Sequence, residues 1–246
     1  MKDLDTVIAE ALDVLKRGGL ILYPTDTVWG IGCDATNEAA VQKVFSLKRR
    51  AEAKSLVLLA CDLDMVARYV KKIPPIAVDL VEVNDAPMTI VYPGAIVAGA
   101  SGGAAFGLAP ATVAADGSVG IRIPRAAEAR EDDRPVSAGA VFCHRLVYRL
   151  RRPLVSTSAN ISGEAAPSDF AAISPEIRAG VDYVVPAALS VSAGPRSAAS
   201  SGAVMPGSDR ASRTPTTVVR FDDSAIGRPS QILKLGLDGE VEIIRP

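Results

Sequence analysis

Several groups of hydrogen-bonding or charged side chains in this chain of 246 residues are suited to chemistry. Ser156, Thr157, Ser158 and Asn160 follow the apolar Pro153-Leu154-Val155, and Thr25, Asp26 and Thr27 follow the apolar run at 20–23. Lys48, Arg49, Arg50 and Lys54 form a basic group, and Arg122 stands near the end of the apolar SVGIRI at 118–123. Hydroxyls and an amide grip phosphate, ribose or carboxylate oxygens with little bulk, and in open α/β sheets ligands collect at the carboxyl ends of strands. Cations beside them offset anionic charge, and arginine adds a bidentate fork. The combination suits a polyphosphate or a carboxylate. Taken singly, each group has a plainer account. Ser/Thr/Asn clusters make turns and helix caps, Lys48 to Arg50 suit the negative end of a helix dipole, and Arg122 reads equally as a surface charge.

Several other chemistries are excluded. No GxxxxGK[ST] and no GxGxxG occurs, so a nucleotide would have to be held by something other than a P-loop or a dinucleotide fingerprint. The glycine-rich stretch from Gly99 to Gly107 is irregular and reads as a loop. With one histidine, His144, no histidine-rich metal centre can form, and His144 itself sits at a polar position of an amphipathic helix. Cys33, Cys61 and Cys143 are odd in number and widely spaced, which fits neither a disulfide framework nor a zinc site. No metal is expected on side chains. A net charge of −1 argues against a chain built to coat nucleic acid. No apolar run approaches the ~20 residues needed to span a bilayer, and acids interrupt the N-terminal helical pattern, so no membrane segment or signal peptide is read and the expected location is cytoplasmic.

The elements that must position these groups alternate between two periods. Leu4, Val7, Ile8, Leu12 and Leu15 give a helical stripe ending at Gly18-Gly19, followed by a buried strand at 20–23 that Pro24 stops. A helix at 39–50, a strand at 55–60, a helix at 62–72 capped by Asp62 and another near 76–83 come next. Strands at 88–92 and 118–123 flank a Gly/Ala-rich loop, and an amphipathic helix leads into the strand LVST at 154–157. Residues 190–214 are Ser, Ala, Gly and Pro with few large apolar side chains, a composition that reads as a flexible loop. Strands at 216–221, 232–235 and 240–245 close the pattern, the last two joined by a Gly236–Gly239 hairpin turn. Alternating strands and helices predict an α/β fold with a mixed sheet.

These segments resemble the YrdC-like threonylcarbamoyl-adenylate synthases in their short, single-domain form. LYPTDTVWGIGCDA at 22–35 is similar to the family's opening strand-loop motif, and SLKRR at 46–50 carries its KxR as Lys48 and Arg50, with the following lysine at Lys54. SVGIRIP at 118–124 and PLVSTSANISGEAAPSDF at 153–170 match further motifs, with the family's SxN as Ser158 and Asn160. For the C-terminal Ser/Thr and arginine, Ser230 with Arg245 gives a better spacing than Thr216. The usual aromatic-Pro-Gly before a PLT-like segment is absent at 83–89, and KPL is KSL at 54–56.

The resemblance implies a single domain over 1–246, a twisted mixed sheet flanked by helices around a central ligand cavity. It implies ATP-dependent synthesis of L-threonylcarbamoyladenylate from L-threonine and bicarbonate with release of pyrophosphate. That product supplies proteins that threonylcarbamoylate a tRNA adenosine next to the anticodon. By similarity, Lys48 and Arg50 are catalytic, Lys48, Arg50, Lys54, Ser158, Asn160 and Arg245 bind ATP, and Thr25, Arg122, Ser156 and Ser230 bind threonine. Mg²⁺ would arrive on ATP, and direct tRNA contact would be weak. The competing reading is a YrdC-like RNA-binding or regulatory protein without synthase activity.

Overall fold

The computed structural model describes residues 2–50, 56–84, 86–99, 106–125, 137–192 and 216–246. In chain order they form α1 Leu4–Lys16, β1 Ile21–Tyr23, β2 Gly30–Gly32, α2 Glu38–Lys48, β3 Val57–Leu59, α3 Leu63–Ala67, α4 Pro75–Val83 and β4 Met88–Tyr92. Then come β5 Val119–Arg122, α5 Ala138–Leu150, β6 Leu154–Ser158, α6 Pro175–Ala179, β7 Tyr183–Val184, β8 Ala188–Ser192, β9 Thr216–Arg220, β10 Gln231–Leu235 and β11 Val241–Arg245. Local chemistry sets the helix starts: the side chains of Asp3, Asn37 and Asp62 accept the backbone N–H groups of Thr6, Ala40 and Met65. The stripe of α1 is buried at Val7, Ile8, Ala11, Leu12, Val14 and Leu15, and Gly18 at φ 74° turns the chain back toward β1.

Among the described residues nine strands make one sheet in the order β11-β10-β4-β5-β3-β6-β2-β1-β7. It is mixed, as the pattern predicts: β1/β7, β3/β5 and β4/β10 run parallel and the remaining neighbours antiparallel. Helices flank it, with α1 against α5 and β1. Among the described residues no helix is long and apolar enough to cross a membrane. All three cysteines are free and buried, and His144, half-buried on α5, stacks with Tyr148.

β2 lies tightly between its neighbours. A Cβ on Gly32 would stand 2.6 Å from the carbonyl oxygen of Val155 and 2.7 Å from the ring of the fully buried Tyr23. Gly32→Ala is therefore expected to destabilise the fold by about 1–3 kcal/mol, the usual cost of overpacking a filled core, read as a lowered midpoint in chemical denaturation.

Among the elements that differ from the sequence pattern, three have a clear cause. The helix expected over 62–72 stops at Ala67, because the backbone of Tyr69 and Lys71 turns to hydrogen-bond Ile96 and Gly94 instead. The strand expected at 154–157 extends through Ser158, since pairing with β2 continues past its apolar residues. The stretch expected as a loop at 190–214 begins inside β8, whose last three residues pair with Val218, Thr217 and Thr216 of β9 in a separate two-stranded sheet. Its remainder, 193–214, lies outside the described residues.

Candidate active site

Along a strand alternate side chains share a face, and ladder register decides which of them meet across strands. Val57 on β3 stands opposite Gly120 on one side and Ser156 on the other, and Ser158 stands opposite Gly30. Arg122 stands opposite Thr89, and Thr89 opposite Ile232. These residues share one face of the sheet, and with Val91 they line a cavity of about 340 Å³. That volume falls within the range of small-molecule sites, ~300–1,000 Å³. Its walls come from Thr25, Thr27 and Val28 between β1 and β2, from Arg50 and Leu56, and from Pro229, Ser230, Ile244 and Arg245 near the C-terminal hairpin. Among the described lining residues are three arginines and no carboxylate. The cavity is thus built for anions.

The basic run at the end of α2 sends its three side chains three ways. Lys48, in the last helical turn, is 1% exposed, and its ammonium donates to the carbonyl oxygens of Ser158 and Asn160. Arg49 takes the left-handed conformation at φ 49° and pairs on the surface with Glu176 at 2.7 Å. That reversal brings Arg50 to the cavity. Burial, then the charge of Arg50, lowers the Lys48 pKa to about 8, and burial also lowers that of Arg50.

On the opposite wall Arg122 is 3% exposed and donates through Nη1 to Oδ1 of Asp26. Burial alone would depress its pKa, but the Asp26 carboxylate leads a set of partners that more than offsets this, so it stands above its ordinary value. Nε and Nη2 of Arg245 donate to the carbonyl oxygen of Ser230 at 2.8 and 2.6 Å, and the Ser230 and Thr89 hydroxyls hydrogen-bond at 2.8 Å. Burial lowers the pKa of Arg245 as well.

Of the residues singled out in the sequence, Thr25, Arg50, Arg122, Ser156, Ser158, Ser230 and Arg245 border the cavity. Lys48 and Asn160 do not line it; Lys48 is joined to the chain at Ser158 by its hydrogen bonds, and the Asn160 amide nitrogen donates to the carbonyls of Ile161 and Glu164 at 2.9 and 2.7 Å. Lys54 lies outside the described residues. Thr216, the competing candidate, opens β9 in the two-stranded sheet. Sequence reasoning missed Thr89, whose signal was a hydroxyl inside the apolar strand MTIVY, and it gave no role to Asp26 or Thr27 within their polar turn.

The profile of the Sua5/YciO/YrdC family, described as Telomere recombination, matches residues 13–198. A protein of Xanthomonas euvesicatoria named Threonylcarbamoyl-AMP synthase is 32% identical over 190 residues, covering 74% of this chain and 84% of that one. Another of that name from Stenotrophomonas maltophilia is 34% identical over 171 residues, covering 67% and 76%. Among solved structures, P. abyssi Sua5 complexed with L-threonine aligns with a TM-score of 0.58 at 24% identity, over 72% of this chain and 45% of that one. The aligned part is thus less than half of that protein. E. coli YciO aligns with a TM-score of 0.62 at 17% identity, over 98% of this chain and 88% of its own. The profile match across most of the sequence, joined to relatives about one third identical over most of their length, establishes that this chain belongs to the Sua5/YciO/YrdC family.

Proposed function

We propose that this protein is a threonylcarbamoyl-AMP synthase, which joins L-threonine and bicarbonate to the AMP moiety of ATP and releases pyrophosphate. The observation that carries this reading is a cavity lined by three arginines and a series of hydroxyls, with no carboxylate among its described lining residues. The family relatives named for this activity support it.

The reaction brings two anions together. The threonine amine attacks bicarbonate with loss of water, and the resulting carbamate carboxylate attacks the α-phosphorus of ATP as pyrophosphate leaves. No side-chain nucleophile is needed; positioning and positive charge are. ATP enters with its Mg²⁺ as part of the substrate. In our reading Arg50 and Arg245 hold the phosphates, with Lys54 joining them, and Ser158 and Asn160 bind the adenylate. Lys48 adds charge from behind that wall. Arg122 takes the threonine carboxylate, and Thr25, Ser156 and Ser230 bind the amino acid around it. Leu56, Val57, Val91, Ile232 and Ile244 supply an aliphatic surface that keeps water from the labile carbamate.

The adenylate then passes, in a cytoplasmic setting, to proteins that modify tRNA next to the anticodon, and the chain acts as one domain over 1–246. Incubating the pure protein with ATP, Mg²⁺, bicarbonate and L-threonine should yield threonine-dependent pyrophosphate and the adenylate by mass spectrometry. Absence of both, under conditions where a known synthase works, would refute the assignment.

A further inference from the structure

The Asp26 carboxylate has no part in the reaction drawn above, yet it is the one hydrogen-bonding partner, among the described residues, of the guanidinium that faces the cavity from β5. Asp26 is itself buried at 7% exposure. A guanidinium carries five N–H donors in a rigid plane, so a bond at Nη1 directs the group while leaving the other donors for a ligand.

The backbone of the turn that carries Asp26 is held from within and by two neighbouring segments. The Thr25 hydroxyl accepts the N–H groups of Thr27 and Val28 at 3.0 and 3.2 Å and donates to the Val28 carbonyl at 2.7 Å. From the C-terminal segment, the N–H groups of Ile226 and Gly227 donate to the carbonyls of Asp26 and Thr27, both at 3.0 Å. From α5, Cys143 donates to the Pro24 carbonyl at 3.3 Å, and Gly139 packs so closely that a Cβ there would stand 2.2 Å from the Thr25 carbonyl oxygen. A turn that served only to reverse the chain between β1 and β2 would need none of these outside ties.

We propose that Asp26 is a positioning residue, which holds the Arg122 guanidinium toward the carboxylate of the amino-acid substrate and so sets affinity for that substrate without touching it. The proposal rests on the reading of the protein as a synthase that uses threonine. Its rival is that Asp26 merely neutralises a buried cation, and an arm that keeps the charge but changes the reach separates the two.

The test is steady-state pyrophosphate release with threonine and MgATP varied in turn. Threonine-dependent release by the unaltered protein checks the functional reading first, independently of Asp26. Asp26→Asn and Asp26→Glu should each raise the KM for threonine by ~10-fold or more while the KM for MgATP stays within ~2-fold, as expected when a contact is misplaced by a fraction of a bond length. In an Arg122→Lys background, Asp26→Asn should add no further rise, because its effect runs through the guanidinium. Wild-type threonine KM in Asp26→Glu would overturn positioning in favour of charge balance. Equal rises for both substrates, or the same fold-change in both backgrounds, would also overturn it. Asp26→Glu retains the buried charge pair, so the outcome does not depend on whether Asp26→Asn folds.

Discussion

Arg122→Ala is expected to lower the free energy of unfolding by about 3–5 kcal/mol and to abolish threonine-dependent pyrophosphate release. The loss comes mainly from the partner left behind: Asp26 would keep a buried negative charge with its hydrogen-bonding partner gone. Chemical denaturation of the variant measures it. Replacing both members by apolar residues, as Arg122→Met with Asp26→Leu, should restore most of the stability, since a buried pair exchanged for packed hydrophobes is often neutral. Activity should stay absent in the double variant. Recovery of stability without turnover would separate the structural cost of the pair from the chemical use of its cation, and a double variant as unstable as Arg122→Ala would show that the damage has another source.

Lys48→Met should lower kcat/KM by roughly 10²–10³-fold, or about 2–4 kcal/mol, the usual loss when one preorganised electrostatic contact is removed. The side chain is nearly matched in volume, so the core stays filled, but the carbonyls of Ser158 and Asn160 lose their donor and the phosphate site loses a charge. pH separates the two contributions. A neutral amine still has two N–H groups for two carbonyls, so losing the proton removes charge and leaves the hydrogen bonds. With the pKa brought down to about 8 by burial and then by Arg50, the kcat/KM of the wild type should fall as pH rises through about 8, and that fall should be missing from Lys48→Met. Stability runs the other way. A cation whose folded pKa is depressed binds its proton more weakly when folded, so the penalty is fully present below about 8 and is relieved as pH climbs toward the ordinary 10.5. Over that window the wild type should gain up to roughly 3 kcal/mol relative to Lys48→Met in pH-dependent denaturation.

How much of this was legible beforehand depends on whether the deciding contact is local. β4 is read to the residue from its β-branched and aromatic run, and the cap at Asp62 is read from a side chain three residues from its target. α3 is shorter than its periodicity suggests because Ile96 and Gly94, distant in sequence, claim the backbone of its expected second half. β8 ends in Ser190-Val191-Ser192, which no composition marks as a strand; β9 makes it one. The site divides in the same way. Residue types at 25, 50, 122, 156 and 158 announce an anion pocket; alternation along β5 and β6 carries 122, 156 and 158 to one face, and Thr25 and Arg50 reach it from the segments after β1 and α2. The inward turn of Lys48, the outward turn of Arg49 and the pairing of Thr89 with Ser230, 141 positions apart, are decided by partners that a reading of neighbours cannot supply.

The parallel pairing of β10 with β4 also bears on the order in which the protein is made. Thr89 and Arg122 leave the ribosome well before Ser230 and Arg245, yet all four border the same cavity. Until β10 emerges, the far edge of β4 has no neighbour and the Asp26 turn lacks the two N–H groups that Ile226 and Gly227 bring to it. A nascent chain with only β1 to β7 and their helices would lack the part of the cavity wall that Ser230 and Arg245 supply. On this order of synthesis the cavity is completed only when the β10–β11 hairpin pairs with β4.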